Sequence, residues 1–362
     1  MGFARCTPTV RARELLEWLG AGKHGDMDYL QEQVADRLDP QRLLTGAVSL
    51  ILVADQYAVR GGAKEKEETG RGRVARYARG RDYHDFVKRR LHNVADALRP
   101  DFPGHKFRTC VDTAPLLERE YAARAGLGWI AKNTLMIHPE RGSYFVIGSI
   151  LTTVELEESP EAIVPDHCGT CTRCIDACPT KAITPYSVDG SKCISYLTIE
   201  HRGEVKPELH AGMGDWLFGC DVCQEVCPHN SARSVSVAMP ELRVGYQPPQ
   251  PGDWGTAAPR ELEIEDGAAV QPAYAVRRTG FSLLDVLGWD EDARREAFKT
   301  SPMKRAPLET MKRNAIIAAG NSLAKQANSG LLARIQELAI DTRETDTIRR
   351  TAAAVLEALA KG

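Results

Sequence analysis

CGTCTRCIDACP (168–179) is the stretch on which the reading of this chain turns. Cys168, Cys171, Cys174 and Cys178 follow the spacing C-x2-C-x2-C-x3-C, closed by Pro179. Bacterial proteins hold cubane iron–sulfur clusters with this spacing: three close thiolates wrap one cluster and the fourth reaches to a neighbour. A second run, FGCDVCQEVCP (218–228), has Cys220, Cys223 and Cys227 before Pro228, but Leu217 stands where a first ligand belongs. Cys193, between the runs, restores the tally to eight. Letting the last cysteine of each run cross over, one cluster takes Cys168, Cys171, Cys174 and Cys227, and the other Cys178, Cys193, Cys220 and Cys223. Structural zinc also uses CxxC pairs. The two Cys-Pro endings and the two complete sets of four favour clusters, and with them single-electron transfer.

Outside this block the sequence is that of an ordinary folded protein. Its 362 residues carry 47 Lys+Arg against 49 Asp+Glu, with 43% hydrophobic residues and 27% charged. Disorder and collagen-like repetition are excluded by those proportions, and the length suits two or three domains. The net charge of −2 excludes a wholesale polycation but not a local basic face. Ten cysteines are present, and the remaining two, Cys6 and Cys110, read as buried inert thiols. The first twenty residues hold no apolar core of signal-peptide length, and the longest apolar runs, AVSLILVA (47–54) and YFVIG (144–148), are too short to span a bilayer. A cytoplasmic protein without membrane contact is expected, its thiols reduced and used for metal or redox chemistry.

Residues 1–160 alternate strand-like and helical patterns. VRARELLEWL (10–19) reads as an amphipathic helix and AVSLILVADQY (47–57) as a buried strand. HDFVKRRLHNVADALR (84–99) places Phe86, Val87, Leu91, Val94 and Leu98 on one helical stripe. MIHPERGSYFVIGSILTTV (136–154) reads as two strands joined by a turn at Glu140, Arg141 and Gly142. An acidic connector, ELEESPEA (155–162), leads to the cysteine segment, 161–235. Residues 236–302 read as an irregular connection. From 303 to 362 short helices recur, with stripes at Leu331, Ile335, Leu338 and at Ile348, Ala352, Val355, Leu356, Leu359, a weak helical-repeat signal.

The chain resembles the epoxyqueuosine reductase family. The resemblance rests on VDTAPLLER (111–119), AARAGLGWIAKNTLMI (122–137), GSYF (142–145), the first cysteine run through Ile183, KCISYLTIE (192–200) and FGCDVCQEVCPHN (218–230). GKHGDMDYL (22–30) and RYARGRDYHDF (76–86) add to it. It runs from about residue 2 to the end and is weakest in 231–300. It implies an α+β multidomain protein: an α/β cobalamin-binding domain, a ferredoxin-like domain with two [4Fe–4S] clusters, and a C-terminal HEAT-like helical module. The activity implied is reduction of epoxyqueuosine to queuosine at the wobble position of tRNA. Its partners would be that tRNA and an external one-electron reductant, with the protein a monomer.

An opening epoxide oxygen needs a proton from a positioned acid. Asp112 of VDTAP matches the family's catalytic carboxylate, and burial beside a corrin face would hold it protonated. Read without the family, Asp112 or Thr113 before Ala-Pro is also a good helix cap. For the corrinoid pocket the resemblance points to Arg37, Asp112, Met136, Ile147 and Ser195, with Met136 and Ile147 on the paired strands after AKN. Residues 60–108 hold 14 Lys/Arg against 7 Asp/Glu, densest in RGRVARYARGR (71–81), and the tail adds Lys304, Arg305, Lys312, Arg313, Arg349 and Arg350. Such clusters suit phosphate contacts. Three departures from the family pattern stand out: a missing helix before GFARC (2–6), and local variants at AKN (131–133) and CPHN (227–230). Two other classes compete: a reductive dehalogenase, disfavoured by the lack of a twin-arginine signal, and a ferredoxin-type electron carrier, which would leave residues 1–160 without a purpose.

Overall fold

A strand apolar at odd and even positions alike needs cover on both faces, and AVSLILVADQY obtains it. The computed structural model describes residues 1–58, 68–158, 163–231 and 279–361. Its N-terminal part comprises β1 (Gly2–Arg5), α1 (Ala12–Gly20), α2 (Tyr29–Glu32), α3 (Val34–Leu38), β2 (Ser49–Gln56), β3 (Arg71–Val74), α4 (Tyr83–Leu98), β4 (Phe107–Val111), α5 (Glu118–Arg124), β5 (Trp129–Ile130), β6 (Met136–Ile137) and β7 (Phe145–Thr152). A four-stranded sheet has the order β1-β2-β7-β4. Successive side chains leave opposite faces of a strand. Leu50 and Leu52 with Ile147 and Leu151 therefore join the core under α5, beside Tyr121 and Ala122. Ile51 and Ile150 join the opposite core under α4, where all five residues of the expected helical stripe are found. A Cβ on Gly148 would lie 2.9 Å from Val87 Cγ1, so its bare backbone lets α4 seat on β7.

All neighbouring pairs in this sheet are antiparallel. This corrects the α/β expectation for the first domain: α/β layering needs parallel strands linked by crossovers, and the arrangement here is α+β. The strands flanking Glu140–Gly142 also do not pair as a hairpin. β6 pairs with β5 and β7 with β2 and β4, leaving a single bridge between His138 and Gly142. β7, apolar on both faces, fills the middle of the larger sheet. Met136 and Ile147 consequently lie in different sheets.

The cysteine segment carries α6 (Arg173–Asp176), β8 (Ile183–Thr184), β9 (Ser187–Val188), α7 (Ile194–Ile199), α8 (Pro207–Met213), β10 (Trp216–Phe218) and α9 (Val222–Glu225). The one-turn helices α6 and α9 hold the central cysteine of each run and pack on each other. Beyond it come β11 (Gly280–Ser282), α10 (Leu283–Gly288), α11 (Glu291–Phe298), α12 (Leu308–Lys325), α13 (Ser329–Ile340) and α14 (Asp346–Lys361). The expected irregular connection thus contains a strand and two helices from 280 to 298, capped by Ser282 and Asp290. Its residues 236–278 lie outside the described residues, as do 159–162 of the acidic connector. The helical stripes of the tail are buried where expected, at Leu331, Ile335, Leu338, Ile348, Ala352 and Val355. Among the described residues no helix is long and apolar enough to cross a membrane.

A second sheet, of order β10-β3-β11, takes one strand from each of three compositional segments. Its middle strand is Arg-Gly-Arg-Val, the start of the stretch read as a phosphate-binding cluster. Arg73 pairs with Asp215 at 2.7 Å and stacks over Trp216. Arg76 faces Asp221 and Glu225 and lies over Tyr144, and buried Arg79 donates to the Val74 carbonyl. These arginines hold segments together rather than face solvent. Lys312 and Arg313 are likewise buried, Lys312 against Glu344.

Arg313 is 1% exposed and donates to the carbonyls of His201, Gly203 and Leu197. Burial lowers its pKa to about 10, so it stays charged at neutral pH. Arg313→Met strands those acceptors and is expected to cost about 3 kcal/mol. An unchanged urea midpoint in the full chain would contradict this role.

Candidate functional site

Between Val111, the last residue of β4, and α5 the chain must turn back over the sheet edge. Asp112 makes that turn with φ +48°, a left-handed conformation uncommon outside glycine. It caps no helix, since α5 begins only at Glu118 after Leu117. The carboxylate instead accepts hydrogen bonds from Tyr83 Oη at 2.7 Å and His84 Nε2 at 3.0 Å. Both donors stand in the first turn of α4. His84 Nδ1 in turn lies 2.7 Å from Asp82 Oδ1, and Asp82 is held by Lys304 Nζ at 2.6 Å. The result is a chain Lys304–Asp82–His84–Asp112 with an imidazole between two carboxylates.

The electrostatics follow from that order. Burial alone would lower the His84 pKa, but the hydrogen bonds to Asp112 and Asp82 raise it to about 9. Burial alone would raise that of Asp112, but the bonds from His84 and Tyr83 bring it below the usual carboxylate value. The Asp112 side chain is 51% exposed although protein surrounds it on its other sides, so these bonds outweigh burial. At neutral pH the pair is imidazolium and carboxylate. Asp112 is not held protonated in this structure, contrary to the sequence expectation, because it has a cationic donor that the sequence reading did not assign. Glu118 shows the reverse: burial first, then the Asp112 charge, pushes it up to about 8.

Asp112 lines a cavity of about 410 Å³ whose opposite wall is cysteine-rich: Cys178, Cys193, Cys220 and Cys223, with Ser195 among them. A second cavity, about 540 Å³, lies on the other side of the same loop. Val111 and Thr113 line it together with His84, Lys88, Arg108, Lys304 and Arg305. One loop therefore separates a thiol-lined space from a basic one.

The thiols fall into two neighbourhoods. Burial pushes the Cys227 thiol up to about 11, and Cys168, Cys174 and Cys171 add to the effect. After burial, Cys193 is raised by Cys178, and Cys220 by Cys223 and Cys193. Cys223 feels Cys193 and Cys178, with Cys174 as a neighbour from the other set. Thiols so crowded resist ionising together, and a cationic iron core relieves that cost, so the donor set fits clusters. The network beneath them is polar and closed: Gln224 Nε2 donates to the Ser143 carbonyl, and Asn230 Nδ2 to Ser143 Oγ and the Gln224 carbonyl. Gly142, at φ +70°, admits Asn230, whose Oδ1 would stand 2.0 Å from a Cβ there.

Comparison with known proteins agrees with this geometry. A family model described as "4Fe-4S double cluster binding domain" matches residues 167–230, and one described as "Epoxyqueuosine reductase QueG, DUF1730" matches 37–113. Epoxyqueuosine reductase of Alicycliphilus denitrificans is 34% identical over 357 residues, covering 96% of this chain and 90% of that protein. The chain belongs to the epoxyqueuosine reductase family. Two solved structures of epoxyqueuosine reductase share its fold. One, with an epoxyqueuosine-modified tRNA-Tyr stem loop, has a TM-score of 0.78 at 26% identity, covering 99% of this chain and 85% of that one. The other, from Bacillus subtilis, was solved with its aspartate-bearing catalytic loop swung out of the active site. It has a TM-score of 0.78 at 25% identity, covering 99% and 86%.

The chain is accordingly an oxidoreductase of the epoxyqueuosine reductase family with a 4Fe–4S-binding segment. Of the five residues expected at a corrinoid, Asp112 and Ser195 line the thiol-rich cavity. Arg37, on α3, is buried with its Nε unpartnered and within electrostatic reach of Tyr29, Glu118 and Asp112. Met136 and Ile147 sit in the core with Phe145, which does line the cavity. Sequence reasoning missed Asp82, Tyr83 and His84 as site residues. The signal was present: an Asp cap followed at once by Tyr-His puts both side chains on the first turn of α4.

His84 yields a prediction with a definite sign. Its pKa is raised from 6.5 to about 9, so its stabilising contribution is complete below pH ~6.5 and is lost as pH rises through about 9. Histidine-selective ¹⁵N NMR is expected to find His84 still an imidazolium at pH 8, and Asp112→Asn to bring its titration down. A wild-type midpoint near 6.5 would overturn the pairing.

Proposed function

We propose that this epoxyqueuosine reductase acts on the wobble nucleoside of a tRNA, using two [4Fe–4S] clusters and cobalamin, with Asp112 delivering a proton to the epoxide oxygen. The observation that carries the reading is the position of Asp112 on the loop between the two cavities. A group there is within reach of electrons arriving through the thiol-lined wall and of a substrate held at the basic one. The ligand sets proposed are Cys168, Cys171, Cys174, Cys227 and Cys178, Cys193, Cys220, Cys223. Functionally, residues 1–160 build most of the cofactor cavity, 161–235 carry the clusters, and 303–362 form a HEAT-like support.

Cobalamin, when bound, supplies a reduced cobalt as electron donor or nucleophile. Arg37, Asp112, Met136, Ile147 and Ser195 are proposed to hold it. The unpartnered Nε of Arg37 and the apolar wall around Phe145 fit an amide-fringed, flat ring. Reduction of an epoxide to an alkene takes two electrons and two protons and releases water. The His84–Asp112 pair stores one proton at neutral pH. As the C–O bond opens, Asp112 passes a proton to the oxygen and recovers it from His84, whose charge Asp82 continues to stabilise. Glu118, protonated over much of the neutral range, is a second store on the other side of Asp112. The swung-out loop of the Bacillus subtilis relative supports a mobile aspartate of this kind.

Asp112→Asn is expected to bind cobalamin with an unchanged visible spectrum yet convert essentially no epoxyqueuosine to queuosine in tRNA. Near-normal conversion would exclude Asp112 as donor.

The basic cavity offers Lys88, Arg108, Lys304 and Arg305 to phosphates, and the relative solved with a modified stem loop supports tRNA as the partner. Each phosphate contact releases counterions, so affinity falls steeply with salt. Lys88→Glu with Arg108→Glu should weaken tRNA binding at least tenfold at low salt and flatten the salt dependence. Wild-type affinity insensitive to salt would refute this groove.

A further inference from the structure

Trp129, in β5, forms a wall of the first cysteine set. Its indole is 3% exposed, and Cys168 and Cys227 pack against the small core it shares with Ala131 and Ile137. The rings of His167 and His229 stand edge-on to it, at 5.0 Å and 4.9 Å. Three sides of the indole are thus occupied by carbon and sulfur. Its Nε1–H is nevertheless buried without a hydrogen-bond partner. A buried donor left unpaired is costly, and native folds rarely keep one without an acceptor in view. The acceptors at hand are the cysteine sulfurs and the cluster they are proposed to bind.

The same stretch meets this cysteine set a second time. Lys132 Nζ donates to the Gly169 carbonyl at 2.6 Å and to that of Cys171 at 3.1 Å. Burial raises the Cys168 pKa, and the Lys132 backbone N–H and the Trp129 indole N–H oppose it by favouring the sulfur's negative charge. Residues 129–132 therefore aim positive dipoles at one cluster site. The other set, Cys178, Cys193, Cys220 and Cys223, lines the cavity with Asp112, whereas none of Cys168, Cys171, Cys174 and Cys227 does. The first set is the one remote from the substrate side, and so the one that receives electrons from an external donor.

We propose that Trp129 is a positioning residue for that remote cluster: its indole N–H donates to a cluster sulfur and raises the reduction potential. Hydrogen bonds to sulfur stabilise the more negative, reduced cluster, so each one lost makes reduction harder. A one-electron donor then loads the remote cluster more readily than the sulfur environment alone would allow. This inference rests on the two-cluster reading above.

The test is an anaerobic potentiometric titration of the fully reconstituted chain, followed by electron paramagnetic resonance. The signal missing from Cys171→Ala identifies the remote cluster. Trp129→Phe keeps an aromatic ring between the histidines but removes the donor. The remote cluster's midpoint is expected to move to more negative values while the other midpoint stays. Both midpoints unmoved in Trp129→Phe at full iron content would overturn the proposal. If Trp129→Phe loses iron, 3-benzothienylalanine at position 129, which puts sulfur in place of N–H at constant ring size, gives the same comparison. A wild-type chain holding only one four-iron cluster, or a Cys171→Ala chain retaining both signals, would instead defeat the two-cluster reading and the inference with it.

Discussion

Two adjacent side chains on α12 reach across to the cysteine segment and hold five of its backbone carbonyls. Arg313 takes those of Leu197, His201 and Gly203, and Asn314 those of Thr198 and Leu217. Both residues are buried, so each acceptor would otherwise lie out of reach of water. The carbonyls they hold belong to α7, the turn after it and β10. α7 follows directly on Cys193 and carries Ser195, while β10 ends just before Cys220. A C-terminal helix thus fixes the backbone that presents half of one thiol set. The helical module is a brace for the cluster nearest the site as well as a surface for substrate.

The same economy governs the other joints. Arg73, Arg76 and Arg79 resemble a nucleic-acid patch in composition, yet each spends its charge on an acid, a ring face or a carbonyl between segments. Gln224, Asn230 and Ser143 tie the turn after β6 to the second cysteine run. Interlocked in this way, the chain presents only one loop under backbone strain at the site, the Asp112 turn. Strain there is sustained because β4 is fixed by its pairing with β7, and the carboxylate by Tyr83 and His84.

What the sequence made legible were features whose signal is local. Eight cysteines at fixed spacing, the two-faced apolar pattern of β2, the stripe on α4 and the stripes of the tail helices all depend on residues a few positions apart. Illegible were features completed by distant residues. β3 is a strand only because Trp216–Phe218 and Gly280–Ser282 flank it, and nothing in Arg-Gly-Arg-Val announces that. The partner of β7 was misread for the same reason: β6 is nearer in sequence, but β2 matches β7 over its whole length. At the site, VDTAP identified the carboxylate, whereas its protonation depended on His84, twenty-eight positions away and paired with it only once α4 packs on the sheet.

That pairing changes what the aspartate has to be. An isolated acid poised near neutrality would need a raised pKa, and apolar burial was the means expected from sequence. Here the carboxylate is made a stronger acid and the neighbouring imidazole a weaker one, so the proton rests on His84 and Asp112 stays charged. A negative Asp112 facing the thiol-lined cavity disfavours further negative charge there until it takes a proton. Electron arrival and proton uptake are thereby coupled in one direction: charge building up in the cavity raises the Asp112 pKa toward that of His84, and the proton crosses a 3.0 Å bond to where the opening oxygen needs it.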